Sequence, residues 1–217
     1  MAITLSTGAT ASVAKIYAAS ISISAVTNAS EAVCTTGSAH SISVGDYVEI
    51  TSGWGLLDKR VCRAKTGTTG STLVLEGINT TDTTKYPSGT GIGSVRRITA
   101  WSQLSQIKDI SASGGSQNFA DITAINDPVQ RQIPTMRSAV TMNMNVFDDP
   151  TLAWYADVVA ADEARTPYGL LMTFPNGSKL VANAYWGLMR VPTMASNAAL
   201  ETQVSLSYAA EPVRYST

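Results

Sequence analysis

Two stretches of the chain alternate strictly between apolar and polar positions. From Ser138 to Val146, the residues Val140, Met142, Met144 and Val146 alternate with Ala139, Thr141, Asn143 and Asn145. From Leu200 to Tyr208, the residues Leu200, Val204, Leu206 and Tyr208 alternate with Glu201, Gln203, Ser205 and Ser207. A period of two marks a strand buried on one face only. The polar face of this pair is built of small side chains, holds no Lys or Arg, and carries one carboxylate, Glu201. Such a face suits a water-filled passage that a polyanion must cross without sticking, because a lysine-lined wall would trade counterions for phosphate contacts.

The rest of the chain is read against these two strands. Residues 1–26 form a polar N-terminal arm or first strand, ending in a β-prone patch at Ile21, Ile23 and Val26. Residues 27–97 read as a small β module, barrel-like, with short strands at Tyr47–Thr51, Cys62–Lys65 and Leu73–Glu76 separated by glycine turns. Its tail, TTDTTKYPSGTGIGS, reads as a long exposed loop. After Arg96-Arg97 the composition shifts, and residues 98–217 read as a β-sandwich core. Strands are expected at Leu104–Ser111 and Phe119–Ile125 around a Ser113-Gly114-Gly115 turn. A loop with two prolines follows over Asn126–Thr135. Phe174-Pro175-Asn176-Gly177 predicts a tight hairpin, since Asn-Gly supplies the positive-φ positions. Residues 211–217 read as a short tail.

One helix is expected, about 149–163, opened by Asp148-Asp149-Pro150. Leu152, Tyr155, Ala156 and Val159 make one apolar stripe, and Trp154, Val158 and Ala161 make a second on nearly the opposite side. Two stripes fit either a helix buried all round or one wedged between its own sheet and a neighbouring subunit. The apparent thinness of the domain favours the second, which makes Trp154, Val158 and Ala161 a contact between subunits. The pattern as a whole predicts a mainly β fold with one flanking α-helix.

Composition narrows the function classes. Charged residues are 14% of the 217, low against a usual ~25%, and the net charge is −1. Nothing marks a nucleic-acid clamp, and low surface charge favours self-association. No apolar run is long enough to span a bilayer, and the N-terminus lacks the basic start and apolar segment of a secretion signal. Cys34 and Cys62 lack metal-ligand spacing and read as free thiols. The single histidine, His40, can be grouped on paper with Ser41 and Asp46, but no nucleophile elbow or oxyanion motif accompanies them. Asp148 and Asp149 are adjacent and explained by the helix start. No catalytic residue, metal site or cofactor is expected, and the chain reads as a structural protein rather than an enzyme.

From Trp101 onward the order of motifs resembles the major tail tube proteins of long, non-contractile-tailed (siphovirus) bacteriophages. WSQLSQIKDIS is similar to the family's first strand, and FADITAIND followed by RQIPTMRS to its D-x-T … I-P-x-x-R segment. The helix after Asp148 and the hairpin YGLLMTFPNGSKLVANAYWG follow in the family's order. The resemblance implies a tail-tube β-sandwich whose copies form stacked hexameric rings around a channel for double-stranded DNA. It implies partners in the tape-measure, tail terminator and distal tail or baseplate proteins. It places the chain in the virion tail, and in the host cytoplasm during assembly, without membrane binding.

On that footing, Thr141, Asn143, Asn145, Glu201, Gln203, Ser205 and Ser207 line the lumen, and Trp154, Val158 and Ala161 make the within-ring contact. Asn126, Asp127, Pro128, Gln130, Arg131, Gln132 and Pro134 make the ring-to-ring contact, together with the N-terminal arm. The module at 27–97 is then an outward insertion. Two alternatives remain: a ring-forming tube protein of a contractile-tail or type VI-like injection system, and an adhesive or carbohydrate-binding β-sandwich.

Overall fold

Short runs rich in Val, Ile, Thr and aromatics, broken by Gly, Asn and Asp turns, give a chain that is almost wholly β. The computed structural model describes residues 7–216. The first half holds β1 (Thr10–Tyr17), β2 (Ile21–Val26), β3 (Val33–Thr36), β4 (Tyr47–Ser52), β5 (Arg60–Arg63), β6 (Thr72–Val74) and β7 (Gly93–Leu104). The second holds β8 (Ile107–Ser113), β9 (Gln117–Asp121), β10 (Gln132–Arg137), β11 (Thr141–Phe147), α1 (Ala153–Ala164), β12 (Tyr168–Thr173), β13 (Lys179–Leu188), β14 (Glu201–Tyr208) and β15 (Val213–Tyr215). One long antiparallel sheet runs β6-β3-β2-β7-β1-β12-β13-β14-β11-β8, with β4 beside β7, β5 beside β4 and β15 beside β13. β9 and β10 form a separate two-stranded ribbon.

The two faces of this sheet meet different neighbours. On one face Val13, Leu170, Met172, Ala184, Trp186, Met144, Val204 and Leu206 are buried together under α1. On the other, Ala14, Trp101, Leu171 and Val181 pack against the module, whose core is Val48, Ile50, Trp54, Leu57, Val61, Leu73, Leu75 and Ile78. The module covers β7, β1, β12 and the first half of β13. Beyond that, the same face of β13, β14, β11 and β8 lies open.

β7 is continuous through residue 97. Its first half pairs with β4 and β2, its second with β1. The shift of composition at Arg97 therefore marks a change of partner and not a break in the chain. β2, which lies in the expected arm, also belongs to the module's sheet through β3. Residues 10–17 of that arm are a central strand, held between β7 and β12. Residues 1–6 lie outside the described part.

Three further segments depart from expectation. The polar loop at the module's end is held down. Trp54 Nε1 donates to Pro87 O (2.8 Å) and Thr90 Oγ1 (2.9 Å), Asn28 Nδ2 to Thr80 O (2.9 Å) and Tyr86 O (2.8 Å), and the Tyr86 ring meets Trp54 edge-on. The C-terminal tail is a strand: Val213 and Tyr215 are buried, and Tyr215 Oη accepts from Arg63 N (2.8 Å). Finally, a positive φ of 63° at Gln106 breaks the stretch expected as Leu104–Ser111 into the end of β7 and the start of β8.

Candidate functional site

The two alternating stretches are direct neighbours. Thr141 lies opposite Ser207, Asn143 opposite Ser205, Asn145 opposite Gln203, and Phe147 opposite Glu201. Since side chains of paired residues share a face, the expected polar residues fall on one surface, open to solvent in the protomer. β8 extends it with Ser113, Ser111 and Asp109, opposite Thr141, Asn143 and Asn145. β13 extends it on the far side with Tyr185 and Gly187, opposite Ser207 and Ser205. These five residues escaped the sequence reading. The signal was present in KDISAS, where Asp109, Ser111 and Ser113 alternate with Ile110 and Ala112, but it was masked by starting the strand at Leu104.

The polar groups tie the strands to one another. Ser113 Oγ and Thr141 Oγ1 share a hydrogen bond (2.8 Å), Asn145 Nδ2 donates to Asp109 Oδ1 (2.9 Å), and Gln203 Nε2 donates to Asn145 Oδ1 (3.4 Å). Lys108, at the rim, donates to Glu201 Oε1 (2.7 Å), and this bond raises the lysine's pKa. The cation is thereby matched to a carboxylate. At Gly187 a Cβ would approach Ser205 Oγ to 2.8 Å, so the glycine keeps the surface flat there. The result is a shallow wall, mostly of small hydroxyls and amides, with two carboxylates and one paired lysine, and with Tyr185 on the β13 side and Phe147 at one end.

The helix corrects the sequence reading. Trp154, Val158 and Ala161 face the protomer's own core, with exposures of 2%, 0% and 0%. The Trp154 indole N–H donates to Ser105 Oγ (3.2 Å) at the β7–β8 link. These residues cannot contact a neighbouring subunit. The largest side chain decides which of two similar stripes turns inward, because its burial removes the most apolar area from water. Lys15–Asp157 (3.2 Å) and Arg190 with Asp162 (3.2 Å) and Glu163 (3.1 Å) clip the helix to β1 and to the end of β13. Its N-cap is Leu152, and Asp149 instead accepts from Thr151 N (3.1 Å) and its hydroxyl (2.6 Å) in a turn ahead of the helix.

The stretch expected as a loop is half strand. Gln132–Arg137 form β10 and pair with β9, opposite Asp121, Ala120 and Phe119. The ribbon leaves the sheet at Gly114-Gly115. Both have positive φ, and a Cβ on Gly114 would sit 1.9 Å from Ala139 O. Asn126, Asp127 and Pro128 lie at the tip, while Gln130, Arg131, Gln132 and Pro134 follow down the return side. Gln130 Nε2 donates to Asp121 Oδ2 (2.9 Å), and Arg131 pairs with Asp127 (3.5 Å). Every residue of β10 is exposed, and Phe119, Ile122, Ile125, Val129, Ile133 and Met136 hold apolar side chains in solvent.

No constellation for chemistry forms among the described residues. His40 Nδ1 accepts from Ile42 N (3.3 Å), while Asp46 binds Ser43 N and Arg97. Among the described residues, no group of three His, Cys, Asp or Glu side chains is placed to hold a metal. Cys34 and Cys62 are free and buried, and burial pushes both thiols up to about 12. Among the described residues, no helix is long and apolar enough to cross a membrane.

No curated protein matches the chain. Among solved structures, a chain of the 6-fold symmetrised cryo-EM structure of the anti-feeding prophage (AFP) baseplate is similar at 9% identity and a TM-score of 0.39, over 54% of this chain and 85% of that one. Residues 52–217 match the family described as phage tail tube protein, TTP. That span takes in the second half of the module, the open polar face, the projecting ribbon and the helix, and the chain belongs to the phage tail tube protein family, structural components of the viral tail.

Proposed function

We propose that copies of this chain close into hexameric rings that stack into the hollow tube of a long, non-contractile phage tail, through which double-stranded DNA passes during ejection. The observation that carries this is the open wall of β8, β11, β14 and the end of β13, small and polar, with its lysine matched to a carboxylate. A wall of this kind holds no row of free cations for phosphates to exchange with.

Two edges of that wall are unpaired among the described residues. β8 pairs only with β11. β12 ends at Tyr168, opposite Ala184, so Tyr185–Leu188 have a strand partner only on the β14 side. Edge-to-edge pairing of β8 with Tyr185–Leu188 of the next copy continues the sheet around a ring, and a closed barrel leaves no free edges. This contact takes the place of the helix stripe. Residues 98–217 then form the tube wall, and the sheet curves between β13 and β1 so that β7, β1 and β12, with the module of residues 27–97 seated on them, turn away from the bore. The projecting ribbon makes the ring-to-ring contact. The tape-measure, tail terminator and distal tail or baseplate proteins are the remaining partners, met in the host cytoplasm during assembly and retained or released in the virion.

Negative-stain electron microscopy of the purified protein, alone and with its tail partners, tests this. Hollow tubes or six-fold rings are expected. A protein that stays monomeric at high concentration with every partner supplied contradicts the proposal.

A further inference from the structure

Two uncovered apolar surfaces lie at opposite ends of the β11–β14 ladder. At the Thr141–Ser207 end stands the β9–β10 ribbon. A ribbon of two strands is marginal by itself in water, and this one has apolar side chains bare along its length. At the Phe147–Glu201 end, Phe147, Met189, Val191, Met194 and Leu200 are exposed. Backbone bonds draw them into one rim: Asp148 N donates to Leu200 O (2.9 Å), Met189 N to Gln203 O (2.9 Å) and Thr193 N to Glu201 O (2.7 Å). A cavity of about 240 Å³ opens beside the rim, lined by Asn145, Met189, Thr193, Glu201, Thr202 and Gln203.

We propose that this rim is the receptor for the ribbon of a second copy of the chain in the adjacent ring, with Ile125 at the ribbon tip packing against the exposed Met189, Val191 and Met194. The inference rests on the tail-tube reading and adds the acceptor surface to it. A second copy is the occupant because one chain carries both halves at opposite ends of a single ladder. A contact between unlike surfaces at opposite ends of a protomer, repeated along one axis without a rotation that closes it, generates an open-ended stack. The reach is sufficient: Gly114 to Ile125, extended at roughly 3.3 Å per residue, spans about 35 Å.

The chemistry of the joint adds a property. Met136 on the ribbon and Met189 and Met194 on the rim are unbranched and repack at little cost. Such side chains adapt to one another when two separately folded surfaces meet.

The test uses exposed positions, where substitution leaves the fold intact, checked by circular dichroism and melting. The rim variant Val191→Asp/Met194→Asp and the ribbon variant Ile125→Asp each form rings that fail to elongate, with the critical concentration raised about 100-fold or more. Mixed, they yield stacked pairs of rings and nothing longer, because only the ribbon of the rim variant and the rim of the ribbon variant still match. As a second measurement, Ile125→Cys/Met194→Cys assembled and then oxidised gives a ladder of covalently joined copies. Wild-type tubes together with normal elongation of the rim variant overturn this docking while leaving the tail-tube reading standing. An absence of rings and tubes from the wild type overturns both.

Discussion

If the open face borders the bore as proposed, replacing Asn143 and Ser205 by lysine is expected to turn a wall that releases DNA into one that holds it. Per copy, the face carries Asp109 and Glu201 against Lys108, a net of −1. Two lysines reverse that to +1, so a six-fold ring moves from about −6 to about +6. β11 is 7 residues long, which makes the polar wall of one ring roughly 23 Å tall. DNA over that height carries about 14 phosphates at one charge per roughly 1.7 Å. If about half of the dozen new ammonium groups engage, log K falls with log salt at a slope of about −5, and retention changes roughly 1,000-fold between 50 and 200 mM salt. The two lysines face each other across β11 and β14, and like charges in that position cost up to about 1 kcal/mol. That is too little to block folding, and electron microscopy of the tubes checks assembly. The assay is DNA ejection from purified particles at both salt concentrations. Ejection through double-lysine tubes is expected to be slow at 50 mM and recover at 200 mM, while wild-type ejection shows no such recovery. Equal rates at 50 mM refute the assignment of this face to the bore.

Trp154→Ala is expected to lower protomer stability by about 3–5 kcal/mol, a melting shift of roughly 6–20 °C; an unchanged melting temperature with lost ring formation would return the side chain to a subunit contact. Neither Cys34 nor Cys62, whose thiols burial pushes up to about 12, is expected to react with a thiol-specific disulfide reagent at pH 8 until denaturant is added, and prompt reaction of the native chain contradicts their burial. The Arg63 guanidinium, bonded to Glu76 at 2.5 and 2.7 Å, holds that carboxyl below its ordinary value of 4.5. A lowered folded pKa gives stability that is present above the ordinary value and is lost as pH falls through the lowered one. Glu76→Gln is therefore expected to make acid unfolding shallower below about pH 4.5, and an identical acid limb contradicts the linkage.

The open polar face was legible in the sequence because its strands are buried on one side only. Period-two alternation in Thr141–Phe147 and Glu201–Tyr208 carries both the strand and the identity of its wet face. The Asn176-Gly177 turn was legible for a local reason: Gly177 has a φ of 81°. What escaped depended on distant partners. β1 reads as a polar arm, since its Ala, Ser and Val residues gain meaning only between β7 and β12. β10 reads as a loop because Pro134 suits a ribbon edge as well as it suits a turn. The helix carried two similar stripes, and only the sheet beneath it selects Trp154, Val158 and Ala161 for the core.

A cryo-EM reconstruction of the assembled tube measures the orientation of the open polar face directly. We expect Asn143 and Ser205 to border the bore, with β8 of each copy paired to Tyr185–Leu188 of its neighbour. A tube in which those two side chains lie on the outer wall, or are sealed between subunits, contradicts the account.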